Sequence, residues 1–251
     1  MLWPEDVMVK LNKLVGCLVA SLALTCTGSS LASVVMLGNR VIYPSTDRAK
    51  ALKFTNNDAW PYLMQIWADN QQGVQSPEHA KSPFILSPSI FKISPHESHV
   101  ANLIFTGDTK NVKREQLYYL HFTQLPAVKA SDNAHNKLLL MVTNTLKIFL
   151  RPDNLAMSPQ QALEQLTYKI SKNGGQCYVA LNNSTPYYFN SVAASLSTGT
   201  KTIELKDVSM VPPDSTSRWT FSCSPATEIK TLTVDYVNDY GAVLKQAIKG
   251  R

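Results

Sequence analysis

Residues 136–151, NKLLLMVTNTLKIFLR, decide how this chain folds. The stretch reads as one long β-strand. Its first half is apolar on both faces: Leu138, Leu140 and Val142 share one parity, and Leu139 and Met141 share the other. An antiparallel strand ordinarily buries one face and wets the other. Two apolar faces need two covers, and another protein can supply one of them. Lys147 follows in the same strand and sets a cation beside the apolar stripe. Together these features predict a docking strip with a charged anchor.

Working outward, short alternating runs recur between Pro, Asn, Gly and Ser. They include ALKFTN (51–56), YLMQIWAD (62–69), HVANLIFTG (99–107), LYYLHFTQL (117–125), CYVALNN (177–183), RWTFSC (218–223) and TLTVDYV (231–237). Many short strands at this spacing predict an all-β fold of sandwich or barrel type. SPQQALEQL (158–166) is the one helical candidate, with Ser158 as N-cap and Pro159 at the first helical position. The polar, proline-bracketed segment 151–159 reads as a linker, which puts a domain boundary near residues 153–160. YVNDYG (236–241) reads as a late hairpin turn.

The N-terminal part does not read as part of the fold. Lys10 and Lys13 precede an apolar run at 14–24, and Ser30-Leu31-Ala32 offers small residues at a cleavage site. This is the pattern of a secretory signal peptide, residues 1–32; Met8 is an alternative start. No second apolar run is long enough to cross a membrane, so no stable insertion is expected after cleavage. Cys17 and Cys26 leave with the signal, and Cys177 and Cys223 remain. An even count in an exported chain predicts a disulfide; two buried free thiols are the alternative. The cysteines fall on inward parities in their runs, and a bridge would close a loop of about 45 residues, worth roughly 3–4 kcal/mol.

The formal net charge is +6, but the basic residues are scattered and not interleaved with aromatics, so nucleic-acid binding is not expected. No GxSxG, HExxH, Walker or GxGxxG motif is present. The histidines are expected to be solvated or satisfied; His121, alternating with Tyr119 and Thr123, reads as a surface or satisfied histidine. No metal, cofactor or catalytic residue is expected.

Several phrases then line up in order. NNDAWPYLMQIW (56–67), REQLYYLHF (114–122), LKIFLRP (146–152), NSTPYY (183–188) and NDYG (238–241) resemble the motifs of the PapD-like periplasmic chaperones of the chaperone–usher pathway. The resemblance covers nearly the whole chain after residue 32. It implies two immunoglobulin-like β-sandwiches set at an angle with an interdomain cleft, over residues 33–155 and 156–251. It implies a periplasmic, ATP-independent chaperone that caps pilus subunits by lending them a strand and delivers them to an outer-membrane usher. The competing reading is a secreted immunoglobulin-like binding or adhesion module without pilin clients.

Residue by residue, the resemblance assigns Arg40 and Lys147 to a subunit's terminal carboxylate. Leu138, Leu140 and Val142 would enter the subunit's groove, leaving Leu139 and Met141 to fill this domain's own core. Glu115, Arg151 and Asp239 would form an interdomain ion network. The parity of Lys147 differs from that of Leu138, so an irregularity is expected between them. The short 124–136 stretch resembles the short-loop subgroup linked to rod-like pili. SPSIFKISPH (87–96) departs from the family's TPP…EPG pattern, lacking one proline and the turn glycine. An unliganded strip invites self-association.

Overall fold

The computed structural model describes residues 33–250 apart from 75, 111, 127–140, 174–175, 200, 223–228 and 230. The expected signal peptide, Leu138, Leu139, Leu140 and Cys223 lie outside the described residues.

The first sandwich contains β1 (Val34–Met36), β2 (Arg40–Pro44), β3 (Lys50–Asn56), β4 (Tyr62–Asp69), β5 (Phe84–Ser87), β6 (Ile90–Ile93), β7 (Ser98–Phe105), β8 (Gln116–Pro126) and β9 (Val142–Arg151). One sheet has the order β1-β3-β7-β5 and the other β2-β9-β8-β4-β6. The period-2 alternation in β3, β5 and β6 turns one apolar face inward. Tyr43, Phe54, Met64, Ile66, Leu103, Leu120, Ile148 and Leu150 fill the space between the sheets. Each contributes roughly 1.5–3 kcal/mol of apolar burial.

The chain changes sheets at residues 37–39. β1 pairs with β3, whereas β2 runs parallel to β9 in the opposite sheet. Gly38 makes the crossing at φ 91°, a left-handed conformation that favours glycine. This crossing delivers Arg40 to the first position of β2.

β9 is regular. Its pairing with β8 runs one-to-one from Gln124↔Val142 to Gln116↔Leu150. The irregularity expected between the apolar stripe and Lys147 is therefore absent from Val142 onward. Leu146, Ile148 and Leu150 face the first core, and Lys147 and Phe149 face away from it; the stripe at 138–140 lies outside the described residues. A second correction concerns Met141, expected in the core but 58 % exposed. It lies just before β9, outside the β8–β9 ladder.

The second sandwich follows a six-residue helix, α1 (Pro159–Glu164), whose Ser158 and Gln161 form a reciprocal capping box. The strands are β10 (Thr167–Asn173), β11 (Gln176–Asn183), β12 (Ser191–Ser197), β13 (Thr202–Glu204), β14 (Ser215–Phe221), β15 (Thr231–Val237) and β16 (Val243–Gly250). They are ordered β13-β12-β15-β16-β10-β11-β14, joined through a short parallel contact between β10 and β16. Trp219, Leu181, Val179 and Val234 are fully buried at its centre. Cys177 is buried and disulfide-bonded. The segment proposed as the domain boundary lies between β9 and β10.

Candidate functional site

β2 and β9 are in register so that Arg40 and Lys147 are direct Cα partners. In a parallel pair, register partners present their side chains to the same face. Both side chains are half-buried. Burial, and then the neighbouring Arg40 charge, hold the Lys147 ammonium below its ordinary range. Burial likewise lowers the Arg40 guanidinium, partly offset by the Asp239 carboxylate. Two partly desolvated cations side by side repel each other and are stabilised by an arriving anion. A groove of about 400 Å³ opens at Arg40, lined by Met36, Leu37, Lys50, Asp239 and Tyr240.

The second sandwich reaches this site through the β15–β16 hairpin. Asn238 shapes the turn, its Oδ1 accepting from the amides of Tyr240 and Ala242, and Gly241 closes it at φ 85°. The turn presents the Val237 carbonyl to Arg40 Nη1 at 3.2 Å. Asp239 accepts from Arg151 Nη1 at 2.6 Å and Nη2 at 2.8 Å, a bidentate pair. Arg151 Nε donates to Glu115 at 2.7 Å, and the guanidinium lies 5.2 Å from the Tyr187 ring centre.

Glu115 is 3 % exposed, yet both its oxygens are occupied, the second by the Tyr188 amide at 2.8 Å. Burial pushes its carboxyl up, against the pull of Arg151 and that amide. Burial alone would lower Arg151, but the bonds to Asp239 and the charges of Glu115 and Asp239 outweigh it and raise the guanidinium. The structure thus brings Glu115, Arg151 and Asp239 together at the contact between sandwiches, with Phe149 packed on Tyr188 beside them.

Residues 33–156 match the family described as pili and flagellar-assembly chaperone, PapD N-terminal domain, and residues 161–247 match pili assembly chaperone PapD, C-terminal domain. The chaperone protein FimC of Escherichia coli strain K12 is 30% identical over 93% of this chain and 92% of its own. The chain belongs to the PapD-like pilus-assembly chaperones. Among solved structures, the Pseudomonas aeruginosa CupB2 chaperone has a TM-score of 0.71 at 24% identity, over 86% of this chain and 100% of that one. The Salmonella enterica SafA pilin in complex with the SafB chaperone gives 0.68 at 20% identity, over 88% and 98%. Family membership favours the chaperone reading over an adhesion module without clients, and its members are assembly chaperones rather than enzymes.

Within this PapD-like frame, two asparagines in the matching phrases act as buried staples. Asn56 Nδ2 donates to the carbonyls of Trp60 and Ser94, while its Oδ1 accepts from the Asp58 amide. Asn183 Nδ2 donates to Tyr187 and Pro212, and its Oδ1 accepts from the Thr185 amide. Each sandwich uses the same device, a strand-end asparagine bonded to the amide two residues on and the carbonyl four residues on.

Of the two expectations for His121, surface or satisfied, the structure takes the buried, bonded one. The side chain is fully buried, stacked on Trp67 at 5.3 Å, and its Nδ1 pairs with Thr145 Oγ1 at 2.8 Å, on the same face of β9 as Lys147. Asn39 was missed as a functional candidate, since an exposed polar residue at a strand entrance carries no periodic signal. Val142 is 42 % exposed.

Proposed function

We propose that this protein is an ATP-independent periplasmic chaperone that holds a pilus subunit through the subunit's terminal carboxylate and an added β-strand. The observation that carries the reading is the register pairing of Arg40 with Lys147 in a PapD-like chain. A carboxylate entering there would take charge-assisted hydrogen bonds from both cations, each worth roughly 1.5–3 kcal/mol.

From that anchor, β9 leads back through exposed Val142 to Leu140 and Leu138. These three side chains would fill an open groove in a subunit that lacks a strand, while main-chain bonds extend its sheet. Their burial contributes roughly 5–8 kcal/mol before the cost of ordering. The Glu115–Arg151–Asp239 network would hold the two sandwiches at the angle this geometry needs. Delivery to an outer-membrane usher, export by cleavage after Ala32, a Cys177–Cys223 bridge and self-association of the free chaperone belong to the same proposal.

Co-expression with candidate pilus subunits tests it. A subunit should co-purify with the wild-type protein, and Arg40→Ala or Lys147→Ala should abolish the complex. Wild-type recovery of the subunit with both variants would overturn the anchoring role.

A further inference from the structure

Asn39 stands between the two sandwiches and the proposed anion site. Its Nδ2 donates to the Gly241 carbonyl at 3.0 Å, 202 residues along the chain. Its Oδ1 accepts from Arg40 Nε at 3.2 Å. One amide orientation satisfies both bonds, because only the nitrogen can donate to a carbonyl and only the oxygen can accept from a guanidinium.

Arg40 is therefore held at two of its nitrogens by two different elements. Nε is tied to Asn39, and Nη1 to the Val237 carbonyl of the β15–β16 turn. The remaining N–H groups of the fork, those on Nη2 above all, are left to meet a ligand. A guanidinium binds a carboxylate well only when its plane is aligned, since the strong geometry is a fork facing a fork. A long arginine side chain that is not held loses rotamer freedom on binding.

We infer that Asn39 is a positioning residue that locks the Arg40 guanidinium to the second sandwich and so sets the orientation in which it receives a carboxylate. This rests on the anion-site reading above and adds a residue to it. It makes the interdomain contact part of the recognition site, because the amide that aligns Arg40 is itself anchored on Gly241. Gly241 fits this role: its φ is +85°, and an added Cβ would collide with the Asn39 amide. Asn39 is exposed, so its loss leaves both cores intact.

The test uses the full mature chain, with N-acetylglycine as a free-carboxylate probe and N-acetylglycinamide as its uncharged counterpart. The Arg40 Nε–H signal is followed by NMR. In the wild type it should move with the acid and not with the amide. Asn39→Ala should shift the Nε–H signal of the free protein and weaken the acid about three- to tenfold, the scale of one lost hydrogen bond. Gly241→Ala, which displaces the Asn39 amide from the other side, should do the same. Asn39→Ala and Gly241→Ala proteins with wild-type acid affinity would overturn the inference while leaving the anion site standing. A wild-type Arg40 that does not distinguish acid from amide would overturn the anion-site reading and this inference with it.

Discussion

Arg40 and Lys147 are direct register partners across a parallel strand pair, although 107 positions separate them in the chain. Lys147 is already held low in the free protein by burial and by Arg40. A bound carboxylate would raise it again. Between those two values binding takes up a proton, so affinity should fall as pH rises through the depressed Lys147 value toward and past the ordinary lysine range. The slope should approach tenfold per pH unit. Lys147→Arg should flatten the dependence, since a guanidinium keeps its charge. Titrating client affinity from neutral to alkaline pH checks this.

The same depression has a stability consequence. A lysine whose folded value lies below its unfolded value binds fewer protons when folded, so the free protein gains stability as pH rises through that window. Removing the charge with Lys147→Met should raise the melting temperature of the free protein by roughly 1–3 °C. Calorimetry at neutral pH measures it, alongside lost client binding.

Arg151 is the shared partner of two carboxylates, one of them the buried Glu115. Arg151→Ala would leave Glu115 without its counter-ion, which costs about 3–5 kcal/mol when a buried pair is broken from one side. Glu115→Gln, which keeps the acceptor for the Tyr188 amide and removes the charge, should cost less. Chemical denaturation of the two variants gives the ordering.

His96 stands where the family's motif carries glycine, and it adopts φ 58°. A left-handed conformation costs a side-chain-bearing residue about 1–2 kcal/mol, while glycine adds unfolded-state entropy. His96→Gly should therefore stabilise the first sandwich by about 0.5–1 kcal/mol, read as an increase in the denaturation midpoint.

Much of the fold was legible because a two-residue period survives folding. TLTVDYV alternates in burial along all of β15, and the proline and asparagine clusters mark strand ends. What was not legible depends on covers that come from elsewhere in the chain. The alternation around His121 left a surface and a satisfied position open, and Trp67 and Thr145 on the neighbouring strands decide for the latter. Met141 is apolar but lies just before β9 and its ladder with β8 begin. The meeting of Arg40 with Lys147 came from a resemblance of phrases and not from periodicity, because a parallel register between distant strands leaves no local trace. Asn39 was invisible for the same reason: its partner on the second sandwich lies in a turn near the far end of the chain.

The central claim is that β9 and the residues before it are lent to a subunit, with Arg40 and Lys147 as the anchor. Hydrogen–deuterium exchange of the protein alone and in its subunit complex tests this most directly. The account predicts strong new protection of the amides over residues 138–142 on binding, lost when Arg40 and Lys147 are both replaced by alanine. Unchanged exchange over 138–142 in a stable complex, with protection elsewhere on the surface, would contradict it.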